Sequence, residues 1–199
     1  MGDLILLRHG QTEWSMAGRH TGRSDIPLTA HGEACAAELA QALAGRTIAA
    51  ALSSPAKRAV HTAELAGLDA VTDPDLWEWD YGGYEGMTTA QIREQRPGWY
   101  LWRDGVIPGD AEHPGETVDD VGARVDRVLD RVRPLLAGGD VVLVAHAHVL
   151  RVLTARWLLL EPAGGRLFRL DTGTISTLGH EHGKPVVLSW NAPPCPALP

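Results

Sequence analysis

The chain has 199 residues, of which 44% are apolar and 22% charged, with 25 acidic against 18 Lys and Arg residues and a formal net charge of −7. That length suits one domain with a sizeable core, and the acidic balance argues against a nucleic-acid backbone as partner. No apolar run approaches the roughly 20 residues that span a bilayer, so no membrane partner is expected, and any anion site must be a local positive pocket in an acidic protein.

The start, Met1-Gly2-Asp3-Leu4, lacks the basic region and cleavage signal of a secretory peptide, which predicts a cytoplasmic protein. Leu4–Leu7 is a short continuous apolar run, the mark of a strand covered on both faces. Thr29 can N-cap a helix running to about Ala44, with Leu39 and Leu43 at i, i+4 and Gly45 as its stop. Ile48–Leu52 reads as a second buried strand. Ser54-Pro55 then predicts an N-cap with proline at the first helical position, and Gly67 closes that helix. Residues 73–116 are irregular and rich in Gly, Pro and Trp, among them Trp77, Trp79, Trp99 and Trp102. Thr117-x-x-Asp120 resembles a capping box and opens a helix with Val118, Val121, Val125, Val128 and Val132 on one face. Val141–Ala145 is the most apolar strand. Val149–Leu160 reads as an apolar helix ended by Pro162 and Gly164-Gly165. Ile175–Leu178 and Val186–Trp190 are late strands, and the tail from Pro193 is expected to be loose. Of the two cysteines, Cys35 falls in a helical pattern and Cys195 in the Pro-rich tail; no motif supports a disulfide between them.

Strands alternating with helices predict a three-layer α/β/α sandwich with a mostly parallel central sheet. No repeat or long linker divides the chain, so residues 1–199 are expected to form a single domain, with 73–116 as a cap or insertion. In such sheets ligands sit beyond the carboxyl ends of the strands. There the sequence offers Arg8-His9-Gly10-Gln11-Thr12-Glu13-Trp14-Ser15, then Ser53-Ser54-Pro55-Ala56-Lys57-Arg58, then His146-Ala147-His148. Three strand ends thus deliver His9, His146, Arg8 and Arg58 to one edge. Arginines match phosphate oxygens in a bidentate way, and histidine serves as nucleophile or charged donor.

Leu7-Arg8-His9-Gly10-Gln11-Thr12, Ser53-Ser54-Pro55 leading to Arg58, Leu76-Trp77-Glu78 followed by Tyr81-Gly82-Gly83-Tyr84-Glu85-Gly86, and His146 together resemble the histidine phosphatase superfamily, which includes phosphoglycerate mutases and many phosphatases. The resemblance covers roughly the whole chain, with the motifs in order. It implies a phosphoglycerate mutase-like fold. Thr21-Gly22, Glu78-Trp79-Asp80-Tyr81, Trp99-x-x-Trp102-Arg103-Asp104-Gly105 and His146-x-His148-x-Leu150-Arg151 resemble its acid-phosphatase and sugar-bisphosphatase members. One departure is Ala147, where the family usually has glycine.

The resemblance implies a phosphatase acting on phosphomonoesters of small metabolites, sugar phosphates or bisphosphates among them, through a phosphohistidine. His9 would attack phosphorus with one ring nitrogen while a carbonyl near Gly10 holds the other. Arg8, Arg58 and a charged His146 would hold the phosphoryl oxygens. Glu78 would protonate the leaving alkoxide and then deprotonate water; a neighbouring phosphate dianion favours the protonated carboxyl, and Glu85 is its competitor. Ser15, Thr21, Gly22 and Ala147 would line the mouth, with Arg151 and His148 toward the distal part of the substrate. Lys57 reads as a solvated helix face and His61 as packing. No metal or cofactor is expected, because two arginines and two histidines supply the charge a metal would otherwise supply. A mutase, a metal hydrolase built from His146, His148, His180 and His182, and a non-catalytic phosphate-binding module are the competing readings. Homo-oligomerisation stays open.

Overall fold

The computed structural model describes residues 1–194, so Cys195 and the end of the tail lie outside the described residues. Six strands form one sheet in the order β3-β2-β4-β1-β5-β6. They are β1 (Leu4–Arg8), β2 (Ile48–Ser53), β3 (Val71–Thr72), β4 (Asp140–Ala145), β5 (Ile175–Glu181) and β6 (Lys184–Ala192). β1, β2, β3 and β4 run parallel, while β5 and β6 are antiparallel. β1 lies between β4 and β5, and its four apolar residues are fully buried, each contributing roughly 1.5–3 kcal/mol.

Side-chain alternation along β1 separates two cores. Leu4 and Leu6 join Val141, Leu143 and the valine stripe of α6 (Val118–Val132), together with α7 (Ala147–Trp157). Ile5 and Leu7 join Val142, Val144, Leu39 of α2 (Ala30–Ala42) and Ala59 and Ala63 of α3 (Lys57–Leu65). Helices therefore cover both faces, as the expected three-layer sandwich requires. Thr29 caps α2 and the Thr117–Asp120 capping box opens α6.

Several boundaries differ from expectation. The helix after Ser54-Pro55 starts two residues late, with Ala56 as a cap that offers no side chain; the Ser54 hydroxyl accepts from the Ala56 N–H at 3.3 Å and from His146 Nε2 at 2.7 Å. α7 begins directly after His146 and stops at Trp157; Leu159 has already turned to a φ of 62°. The segment 73–116 is irregular but includes short helices, α4 (Thr89–Gln95) and α5 (Leu101–Asp104) among them. Trp79, Trp99 and Trp102 are buried there as a small aromatic core, with Trp79 and Trp102 edge to face at 5.6 Å.

Candidate active site

The carboxyl ends of β1, β2 and β4 meet at one edge. His9 continues β1 and donates its N–H to the Ala145 carbonyl at the end of β4. The turn that follows packs so closely on α2 that a Cβ at Gly10 would lie 2.4 Å from the Gly32 carbonyl oxygen, so only glycine fits. The Gly10 N–H donates to Thr62 Oγ1 of α3 at 3.0 Å. His9 is 5% exposed, and its Nδ1 lies 2.7 Å from the Gly10 carbonyl. A carbonyl only accepts, so Nδ1 carries the proton and Nε2 keeps its lone pair. Burial, with the Arg58 and Arg8 guanidiniums nearby, holds this imidazole well below its ordinary range.

Arg58, in the first turn of α3, is 1% exposed. Its Nε donates to His146 Nδ1 at 3.2 Å. Nη1 donates to the Ser24 carbonyl at 2.7 Å, and Nη2 to those of Gly22 and Thr21 at 2.9 and 3.2 Å. This one cation fastens the loop 21–24 to the second histidine. An Nδ1 that accepts from Arg58 leaves the His146 proton on Nε2, which donates to Ser54 Oγ. His146 is thus held neutral, not charged as expected, and burial and Arg58 push it well below the ordinary imidazole value. The rings of His9 and His146 lie 5.0 Å apart, edge to face. Arg8 donates through Nη1 to the Leu170 carbonyl at 2.5 Å, while its buried Nε has no partner among the described residues.

Glu78 stands opposite, 4% exposed. One carboxylate oxygen accepts from the Trp79 and Val149 N–H groups, both at 2.9 Å, and the other from the His148 N–H at 3.0 Å. The last two are free amides at the start of α7, where a carboxylate is favoured. Arg124 of α6 braces the loop behind it. Its guanidinium donates to the carbonyls of Asp75, Trp77 and Glu78 at 2.8, 2.6 and 3.1 Å and to both oxygens of Glu116 at 2.8 and 3.0 Å. Glu116 in turn accepts from the Asp80 N–H at 2.9 Å. Glu85 is occupied elsewhere, accepting from the N–H groups of Gly22 and Ser24.

The cleft between these groups has a volume of about 220 Å³. Arg8, His9, Ser15, Thr21, Glu78 and Ala147 are on its wall. Arg58 and His146 lie behind it, against His9. Gly22 does not line it: its N–H faces Glu85 and its carbonyl faces Arg58. Ser15 lines it, but its hydroxyl is engaged by Thr12 in the capping box of α1 (Glu13–Met16). Ala147 is the first residue of α7 with φ outside the left-handed region, so its methyl is tolerated. Arg151 borders an adjoining chamber, and Lys57 is exposed beside Asp25. His20, Arg19, Tyr81 and Thr89 also line the cleft; Tyr81 stands in the motif after Glu78, though without an assigned role, and no motif pointed to the other three. His180 lies near the end of β5 and His182 in the β5–β6 turn, beyond the amino end of β1, since Leu4 pairs with Leu178, far along the sheet from His146; His180 packs on the Trp157 ring. A larger cavity of about 410 Å³ beyond Trp79 and Trp102 contains no histidine, and the convergent polar groups single out the smaller one.

Residues 4–193 match the sequence model of the histidine phosphatase superfamily (branch 1). An acid phosphatase of Mycobacterium tuberculosis is 42% identical over 185 residues, which cover 90% of this chain and 87% of that protein. A sedoheptulose 1,7-bisphosphatase of Saccharomyces cerevisiae is 35% identical over 186 residues, 77% of this chain and 66% of that protein. The solved structure of open reading frame Rv3214 from Mycobacterium tuberculosis superposes with a TM-score of 0.90 at 36% identity, covering 98% of this chain and 99% of that one.

Proposed function

Because the chain belongs to the histidine phosphatase superfamily, we propose that it is a phosphoric monoester hydrolase that releases phosphate from small phosphorylated metabolites through a phosphohistidine at His9. The observation that carries this reading is the His9 ring. Its Nδ1 proton is committed to Gly10, and its buried Nε2 lone pair stands between an arginine with an unpartnered Nε and a carboxyl group. In the first step Nε2 forms a bond to phosphorus as the ester P–O bond breaks, and Glu78 protonates the departing oxygen. In the second, Glu78 takes a proton from water, whose oxygen bonds to phosphorus as the N–P bond breaks. Arg8 faces the transferring oxygens; Arg58, from behind the cleft wall, adds positive charge to stabilise them, and neutral His146 packs edge to face on His9. Thr21, Ser15 and Ala147 border the entry.

The same reading takes the chain as one domain, supported by a sheet in which β1 pairs with β4 and β5 from distant parts of the sequence. It also takes turnover to be metal-independent. Among the described residues no group of three His, Cys, Asp or Glu side chains is spaced to hold a metal ion, and no helix is long and apolar enough to cross a membrane. A cytoplasmic location and small phosphorylated metabolites, rather than nucleic acid, complete the reading.

The test is phosphate release from a panel of phosphomonoesters, with mass spectrometry after an alkaline quench that preserves phosphohistidine. Wild type should label on His9 and keep its rate after dialysis against chelator; His9→Ala should neither label nor turn over. Isomerised ester in place of free phosphate would make the enzyme a mutase, and activity restored by a divalent ion would make it a metal hydrolase.

A further inference from the structure

A second chamber, about 270 Å³, lies beside the cleft. The two share His20, Thr89 and His148 on their walls, so the chamber directly adjoins the cleft that His9 lines. Its remaining wall includes Trp99, Tyr100, Trp102, Arg93 and Arg151, and none of its lining residues is Asp or Glu. That is notable in a chain of net charge −7.

The two guanidiniums are set in different ways. The Arg151 guanidinium carbon lies over the Trp102 ring, 4.8 Å from its centroid, and Nε donates to the Gly165 carbonyl at 3.1 Å. Gly165 is needed there: a Cβ would lie 2.7 Å from the Trp102 ring. Arg93 donates through Nε to the Trp99 carbonyl at 2.9 Å. Each arginine is therefore fixed through Nε, and Nη1 of Arg151 and both terminal nitrogens of Arg93 have no hydrogen-bond partner among the described residues. A guanidinium stacked on an indole extends a flat surface on which another flat ring can lie, and unspent N–H donors at its edge match a carboxylate or phosphate.

We propose that this chamber is the leaving-group subsite and that it selects phosphomonoesters whose alcohol carries a flat ring bearing an anionic group. The inference rests on the phosphatase reading and narrows its substrate class. Arg151 and Arg93 read the anion, and Trp102 with Arg151 reads the ring.

Four phosphates of primary alcohols with closely similar leaving groups test it at fixed ionic strength: 4-carboxybenzyl, 4-carbamoylbenzyl, 4-carboxycyclohexylmethyl and 4-(phosphonooxymethyl)benzyl phosphate. The 4-carboxybenzyl ester should exceed the neutral carbamoyl ester in kcat/KM by about tenfold or more, the scale of one charge-assisted hydrogen bond. It should also exceed the puckered cyclohexyl ester. The bisphosphate should likewise exceed the carbamoyl ester, since its second phosphate offers the same kind of acceptor oxygens to the two arginines. In Arg93→Met/Arg151→Met the carboxyl-to-carbamoyl ratio should collapse to about one, and in the single Arg93→Met variant, whose side chain is exposed, it should fall part of the way. Equal kcat/KM for the carboxyl and carbamoyl esters in wild type, or a ratio that survives the double variant, overturns the subsite while leaving the phosphatase intact. Absence of His9 labelling by every ester overturns the phosphatase reading itself.

Discussion

Glu78→Gln separates acid catalysis from phosphoryl binding, and the structure says how cleanly. A general acid matters in proportion to how badly the leaving group needs a proton. Benzyl phosphate leaves as a basic alkoxide, whereas 2,4-dinitrophenyl phosphate leaves as a stable anion. The substitution should slow phosphorylation of His9 by the benzyl ester on the order of 10²-fold or more, and by the dinitrophenyl ester far less. It also has a structural cost. The two carboxylate oxygens accept three N–H groups, from Trp79, Val149 and His148. A glutamine oxygen can keep the Trp79 and Val149 pair, but its NH₂ then faces the His148 N–H, donor to donor. A buried polar mismatch of that kind costs about 1–3 kcal/mol, which for a chain of this size lowers Tm by roughly 2–4 °C per kcal/mol. The assay is single-turnover labelling of His9 with both esters, in wild type, Glu78→Gln and Arg58→Ala, well below each variant's Tm. Arg58→Ala should harm both esters comparably, because the phosphoryl group is the same in each and the loop 21–24 loses its anchor in both. Equal losses for the two esters in Glu78→Gln would refute the acid role. If Glu85→Gln then shows the leaving-group dependence, the role passes to Glu85, against its present engagement with Gly22 and Ser24.

Three further outcomes follow from the burial of ionisable groups. His9, His146 and His148 are all held well below the ordinary imidazole value of 6.5, chiefly by burial. The unfolded chain therefore binds protons that the native protein does not, so stability is fully present above about pH 6.5 and falls as pH drops toward the folded values, by about 1.4 kcal/mol per pH unit for each histidine; urea titrations from pH 7.5 to 5 should show it, and a flat profile would contradict the neutral assignments. The same depression should carry the acid limb of kcat/KM below 6.5, since His9 Nε2 stays unprotonated. Arg124→Met should cost about 3–5 kcal/mol in urea unfolding, because it strands the Glu116 carboxylate and three carbonyls, whereas Arg127→Met, whose exposed guanidinium pairs with Asp75, should cost about 0–1 kcal/mol; similar losses in the two variants would show that the Arg124 clamp is not what holds the Glu78 loop.

Much of the fold is legible in local pattern. The continuous apolar run Leu4–Leu7 reads as a strand covered on both faces, and all four residues are buried in the sheet; Thr29 and Thr117 announce their helices by side-chain chemistry that acts within four residues. Where the pattern misled, a long-range partner had claimed a local group. Ser54 has the composition of an N-cap, yet its hydroxyl is shared between the Ala56 N–H and His146 across the sheet edge, and the helix opens two residues later. Val71–Thr72 is too short and too exposed to read as a strand, and pairs only because Leu52 and Ser53 lie beside it. Gly22 looked like a substrate contact from its place beside Thr21, but its amide is taken by Glu85, 63 residues away.

The sequence by itself determined the layered α/β plan and singled out His9, Arg8, Arg58, Glu78 and His146, which the structure brings together at one sheet edge, since each follows a strand or sits in a recognisable motif. Only the tertiary structure decided their states. The His9 tautomer depends on how the Gly10 carbonyl turns, and the neutrality of His146 on an arginine 88 residues away. The orientation of Glu78 depends on two amides at the start of α7 and on the Arg124 clamp, and the aromatic, acid-free chamber exists only once 89–102 docks against α7. Protonation and pocket shape are set by which groups become neighbours after water is excluded, and such neighbours, tens of residues apart in the chain, leave no local trace in its order.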